Sequence, residues 1–462
     1  MVDPQQTTPP RPRLPLVVSP ANRGESANKD ARILNGYAEK RVDDTWDVFK
    51  RPGYVVSVTN TGAGAGTYNW LGDIYSIQGT TLYKATTSKG TVDGTGGVYT
   101  FSQVLGATPK LFMQNGVEAY TYDDAGGLVN VTDAQYPAAT VKGSAYLDGT
   151  TYVMTAAAAI LGSDINDATS WTALNTITAQ IEPDLGVYLA KQLTYVIAFK
   201  QWSTEVFYDA ANATGSPLGT VPGAKLNQGC RSGGSVAEGG GILFWVGQNR
   251  SGFSGVFMME GLQLAEISTP PIERLLQQAD FTTTWAFVIQ LGGHNLYILT
   301  LKVANLTLVY DATSQLWYQW TDSSGNYFPF VAATFNATTQ VLLQHETDGK
   351  LYLFENTTFT DNSALITFDL YTPLWDGGVR KRKTLTKLDF IADQTIGSKL
   401  MVRKSDDDYQ TWSNFRTVDL SKKQPALTNC GTFQKRAYHF RHTAPTALRI
   451  QAIEMDVLLG SI

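Results

Sequence analysis

The chain has 462 residues, of which 11% are aromatic and 17% charged, with 42 glycines and a formal net charge of −5. That length holds two to four ordinary domains or one large repeat domain with appendages, and the composition suits a β-rich protein full of tight turns while excluding a disordered or coiled-coil chain. The small negative charge excludes a strong overall attraction to nucleic acid, and no apolar run approaches the 18 residues of a membrane-spanning helix.

In chain order, residues 1–50 read as an extended arm and lead-in, because Pro4, Pro9, Pro10, Pro12, Pro15 and Pro20 fix φ and remove N–H donors. The N-terminus shows no apolar core of a secretory signal. The two cysteines, Cys230 and Cys430, have no metal-ligand spacing and point to a reducing place of synthesis.

From residue 51 to 361 one pattern recurs: a short apolar or aromatic strand, a Gly/Asn/Asp turn, then another aromatic strand. Seven such segments begin at Gly72, Pro109, Gly143, Val187, Ser235, Phe287 and Val341. Spacings of this kind match a propeller blade of about 40–50 residues. A small sheet has two apolar faces and cannot bury both alone; radial packing buries each against a neighbour. The expected fold is therefore all-β, a β-propeller of about six blades with the first and last segments sharing one. Seven blades is the variant count, and a pair of β-sandwiches the alternative architecture. One helix is expected, at PPIERLLQQA, opened by Pro270 and Pro271 and linking two blades.

Residues 362–462 read as a separate small β-domain of sandwich type. Its charge differs from the rest: from Arg380 onward there are 15 Lys/Arg against 8 Asp/Glu. Such a split points to a surface that meets a different partner. The densest part is Arg380, Lys381, Arg382 and Lys383, followed by Lys387. No aromatic residues interleave the run as a single-strand platform requires, so an acidic protein partner is favoured over DNA phosphates.

Within this region SDDDYQTW places Ser405, Asp407, Thr411 and Trp412 on the fixed positions of the Asp box found in sialidases and related propellers, with Tyr409 where that box has glycine. The box is structural: Ser and Asp side chains bond backbone donors of a hairpin and the Trp packs beneath. A looser echo runs from Ser163 to Trp171. Catalytic constellations are missing from the pattern. His294, His345, His439 and His442 form no metal-ligand pair, TGAGAGT at Thr61 lacks the Lys-Ser/Thr of a phosphate loop, and there is no nucleophile elbow. No enzyme activity, cofactor or metal is expected.

Many short motifs occur in one order: ILNGYAEK at Ile33, FKRPGY ending at Tyr54, STEVFYD, GCRSGGSVAEGGGILFWVGQNRSG, ISTPPIERLL, GGHNLYILTL from Gly292, TLVYDATSQLW, DGKLYLFE and the terminal SDDDYQTWS. In this the chain resembles the tail nozzle, or packaged-DNA stabilisation, proteins of short-tailed bacteriophages. The resemblance implies a virion tail protein made in the host cytoplasm. It implies a homo-hexameric ring below the head-to-tail adaptor. Genomic duplex DNA would pass through the ring without sequence-specific binding and be retained there until ejection. A needle or plug protein and a fibre or tailspike are the further partners implied. A sialidase-like or carbohydrate-binding propeller acting on host surface glycan is the alternative.

Overall fold

The computed structural model describes residues 11–21 and 30–460. The chain forms two compact units: residues 1–54, 314–326 and 356–462 make one, and residues 55–313 and 327–355 the other. The grouping is not the linear partition 1–50, 51–361 and 362–462, because the first unit gathers three separate stretches of chain.

The 55–355 unit is a propeller of seven small antiparallel sheets among the described residues, at 64–91, 100–130, 145–178, 186–220, 229–266, 284–311 and 330–355. The sequence pattern predicts about six. Each of the seven sequence segments builds its own sheet, and none is shared. The last sheet has only three strands of its own, and its fourth comes from the start of the unit, residues 55–59. The shared piece is therefore a single strand, too short to stand out as a repeat.

Radial packing follows from the alternation of apolar residues. The first two sheets bury Trp70, Tyr75, Leu111 and Tyr122 between them. The third and fourth bury Tyr152, Ile160, Val196 and Phe207, and the fourth and fifth Phe199, Trp245 and Phe257. Phe244 stacks on Tyr297 at 5.1 Å between the fifth and sixth. The first strands of neighbouring sheets lie side by side, so these strands face the axis.

Buried glutamines tie sheet to sheet. Gln114 Nε2 donates to the carbonyls of Val141 and Gly143 at 3.0 and 2.7 Å. Gln192 Nε2 donates to Gly241 at 2.7 Å. Gln344, in the last sheet, donates to Ile77 at 2.8 Å and accepts from Gly66 N–H at 2.7 Å, closing the circle on the first sheet. The helix α1 (Pro270–Gln278) links the fifth and sixth sheets and buries Ile272 and Leu276, with proline where the first-turn N–H would have no partner.

The other unit is a two-sheet sandwich. One sheet orders Leu316–Gln319, Arg32–Leu34, Phe368–Tyr371, Ala437–His442, Lys399–Ser405 and Arg416–Asp419. The second orders Gly36–Lys40, Trp46–Lys50, Arg449–Leu459, Lys383–Ala392 and Ala426–Phe433. Phe390 and Phe440 meet edge-on between them at 6.1 Å. Residues 11–21 of the arm lie along this sandwich: Leu14 N–H donates to Ile453 at 2.9 Å, and Leu14, Leu16 and Val18 are buried. The arm's Pro4, Pro9 and Pro10 lie outside the described residues.

The sandwich core holds a buried ion pair. Arg51 donates to both oxygens of Asp361 at 2.9 and 2.6 Å, to Asn35 Oδ1 at 3.0 Å, and to the carbonyls of Pro52 and Thr321. One guanidinium thereby joins all three stretches of chain that make the unit.

Candidate assembly surface

The basic run is a tethered loop. Gly377 and Gly378 take left-handed φ of 61° and 73°, which glycine adopts without penalty, and Gly378 N–H donates to Asp376 Oδ1 at 2.9 Å. The chain then passes through Val379, Arg380, Lys381 and Arg382, all exposed. Lys383 departs from the expected assembly cluster. It is fully buried, and its ammonium donates to the carbonyls of Val379, Lys381 and Gln434 at 2.5, 3.0 and 3.0 Å, over the Phe433 ring. It is a clamp beneath the loop. The pattern itself held the signal: Lys383 has the same strand parity as inward Leu385.

Arg382 O accepts from Gly460 N–H at 2.8 Å, so both ends of the loop are fixed. Lys387 is half-buried and paired with Asp389 at 2.5 Å, which also holds Arg11 of the arm at 2.6 Å. The loop therefore presents three cations and one apolar side chain in a fixed shape, with little ordering entropy left to lose on contact.

The Asp-box hairpin is closed by its own side chains. Asp407 accepts from Thr411 N–H at 2.9 Å and from the Thr411 hydroxyl at 2.5 Å; Ser405 donates to Asp407 at 2.8 Å and accepts from Tyr409 N–H at 3.0 Å. The Thr411 hydroxyl and N–H, then Ser405, pull the Asp407 carboxyl down to about 2. Tyr409 takes the left-handed φ of the missing glycine, 63°, and donates its hydroxyl to Thr372 O at 2.8 Å. Trp412 meets Tyr409 and Tyr371. In the propeller's echo, Asp164 accepts from Ser170 and Thr172, and Trp171 is buried. These carboxylates are occupied by their own turns.

A second basic cluster on the sandwich was not picked out in the sequence. Strand pairing sets Arg403, His439, Tyr371 and Arg32 in one row across four strands. Tyr371 and His439 stack at 3.9 Å, Arg32 lies over Tyr371 at 4.2 Å, and Arg403 lies over Phe415 at 4.6 Å. Burial holds His439 below its ordinary value, and Arg403 donates to its Nδ1 at 2.8 Å. Asp369 accepts from His439 Nε2 and, bidentately, from Arg441. Burial would raise the Asp369 carboxyl, but these donors outweigh it and keep it low. The i, i+2 placement of His439 and Arg441 was the legible hint.

Charge divides by unit. The propeller carries 12 Lys/Arg against 22 Asp/Glu, the sandwich unit 24 against 19. Among the described residues no cluster of His, Cys, Asp or Glu is arranged to hold a metal ion, and no helix is long and apolar enough to cross a membrane. The largest cavities described lie in the propeller. One of about 690 Å³ opens at one end of its axis, one of about 600 Å³ lies against His294 and Phe335, and a smaller one of about 220 Å³ lies deeper among the first strands.

These observations define an all-β propeller scaffold whose Asp-box carboxylates are tied into their own turns and whose charges are sorted by unit. Residues 48–359 match the Phage_stabilise family, described as bacteriophage P22 Gp10, beta-propeller, and the chain belongs to that family. It is a structural protein of a phage tail. No curated protein matches it. Similar solved structures include a streptogramin B lyase (10% identity, 69% of this chain and 97% of that one, TM-score 0.41). The N-terminal domain of Nup159 is another (9%, 70% and 98%, 0.40). A third is the extracellular domain of a hybrid two-component system, BT4673, from B. thetaiotaomicron (10%, 85% and 58%, 0.45). Likenesses this distant carry no argument about function.

Proposed function

We propose that the chain is the subunit of a tail-nozzle ring, six copies closing below the head-to-tail adaptor. The ring surrounds the exit path of genomic duplex DNA and retains packaged DNA until ejection. The reading rests on the family and on one structural observation above all: an acidic unit and a basic unit in the same chain. A ring needs head-to-tail contacts between two different patches of each copy, and opposite charge on the two supplies direction and register.

The deeper axial cavity, about 220 Å³ among packed strands, is far too small for duplex DNA. The DNA path in this reading therefore runs between copies. A net negative propeller wall does not grip the phosphates, whose contacts come mainly from Lys and Arg. The exposed loop Arg380–Arg382 serves as an assembly surface toward a neighbouring copy or the adaptor, with a needle protein and a fibre or tailspike as outer partners.

Imaging of tails tests the reading: a sixfold ring below the adaptor is expected, and a trimer or fivefold ring overturns it. The competing enzyme reading is tested with purified protein on host polysaccharide. No turnover is expected, and a hydrolysis rate abolished by Asp407→Ala would falsify the structural role.

A further inference from the structure

In a propeller sheet of four consecutive antiparallel strands the hairpins joining first to second and third to fourth strands emerge at the same end. In the second and third sheets these hairpins interlock. Tyr146 donates to Leu105 O at 2.5 Å and to Asn166 Oδ1 at 2.8 Å, and Asn166 N–H donates to Gly149 O at 2.6 Å. They rim the cavity of about 690 Å³, which Leu105, Asp148, Leu193 and Glu238 help to line.

Two local rules are broken on this rim. Leu193 is 61% exposed, and it sits at a hairpin apex with φ of 53°. The left-handed conformation is unfavourable for a residue with a branched side chain, and glycine or asparagine would take it more cheaply. Gln192, buried and bonded to Gly241 O, fixes the turn so that the apex cannot fold inward. Leu105 is 50% exposed and Ile165, beside Gly149, 74%. An exposed leucine held in a left-handed conformation is the kind of local conflict that marks an intermolecular site. Asp148 and Glu238 are exposed beside it, against one exposed cation, Lys191.

We infer that this mouth receives the loop Val379–Arg382 of a second copy of the chain. The loop's apolar Val379 and three cations are complementary to an apolar rim with exposed carboxylates. Its tethering by Lys383, Asp376 and Gly460 gives it a fixed shape to insert. The two patches are different surfaces, so the contact is heterologous and repeats around a ring. This inference rests on the ring reading and adds which surfaces meet.

Two variants of the full chain test it. Leu193→Asn should raise the propeller's melting temperature, by relieving the backbone, and raise the concentration for half-assembly on the order of tenfold. A merely structural leucine would not move the two in opposite directions. Separately, Asp148→Cys and Lys381→Cys chains are mixed under oxidation; the native Cys230 and Cys430 are buried and give little background. Cross-linked dimers should appear only in the mixture and only in assembled material. Rings that form without the cross-link, or Leu193→Asn chains that assemble like wild type, overturn the inference and leave the ring standing. If no ring forms in solution or on nozzle-less particles, the ring reading fails and the inference with it.

Discussion

The propeller and the sandwich unit solve the same problem by opposite means. In the propeller each sheet is built from neighbouring strands and held to the next by apolar faces and single glutamines. In the sandwich, strands hundreds of residues apart pair with each other. Arg32–Leu34 lies beside Phe368–Tyr371, and Trp46–Lys50 beside Arg449–Leu459. There a buried arginine and its carboxylate join the segments. Local repetition spreads stability over many similar contacts, whereas long-range assembly concentrates it in a few.

The largest effect should come from breaking the buried pair. Arg51→Met leaves Asp361 charged and buried, which costs about 3–5 kcal/mol. Calorimetry should show the sandwich transition falling while the propeller transition stays in place. If both fall together, the two units do not unfold independently and the contrast fails.

Next comes acid. Burial and then the charge of Lys50 push His442 down to about 3 from its ordinary 6.5, its Nε2 meeting Ser398 Oγ at 2.9 Å and more loosely Thr446 Oγ1. Burial, then Arg51, likewise lowers Lys50 to about 7, against the raising effect of Asp361. For His442 the unfolded chain binds a proton that the folded chain refuses. The sandwich should therefore lose stability as pH falls from about 6.5 toward about 3. His442→Gln should flatten that slope in urea melts at stepped pH; an unchanged slope means other groups carry it.

Gln344→Ala removes the bonds that close the propeller on its first sheet and leaves the carbonyl of Ile77 and the N–H of Gly66 unmatched. A loss of about 1–3 kcal/mol is expected in the propeller transition alone. The smallest effect on stability should come from reversing Arg380, Lys381 and Arg382 to Glu. Exposed charges shift stability by about 0.5 kcal/mol or less, so both transitions should hold. Ring formation should slow, and the wild-type rate should fall with salt. Assembly at the wild-type rate in low salt would reduce the loop to a solvated face.

The same contrast sets what was legible in the sequence. All seven sheets announced themselves as repeats, because alternation and turns are local. Spacing alone merges the first and last segments into one blade, because strand 55–59 is too short to read as part of a blade. The sandwich gave away its strands but not its partners, since nothing near Ile33 encodes pairing with Leu370. Composition groups Lys383 with its neighbours, while its role as a clamp depends on Gln434, remote in sequence. The exposed leucines of the propeller mouth carry no sequence signal at all: only burial and φ distinguish Leu193 from a core residue.

The fourth strand of the last sheet has a consequence for how the protein is made. Residues 55–59 leave the ribosome early, yet the sheet they complete ends at residue 355. At about 5–20 residues per second, the nascent chain waits roughly 15–60 seconds with that strand's partner not yet synthesised. During that interval the growing array has an open edge at each end. Whatever shields those edges in the infected cell, the last event in building the propeller is the return of its final sheet to a strand laid down at the start.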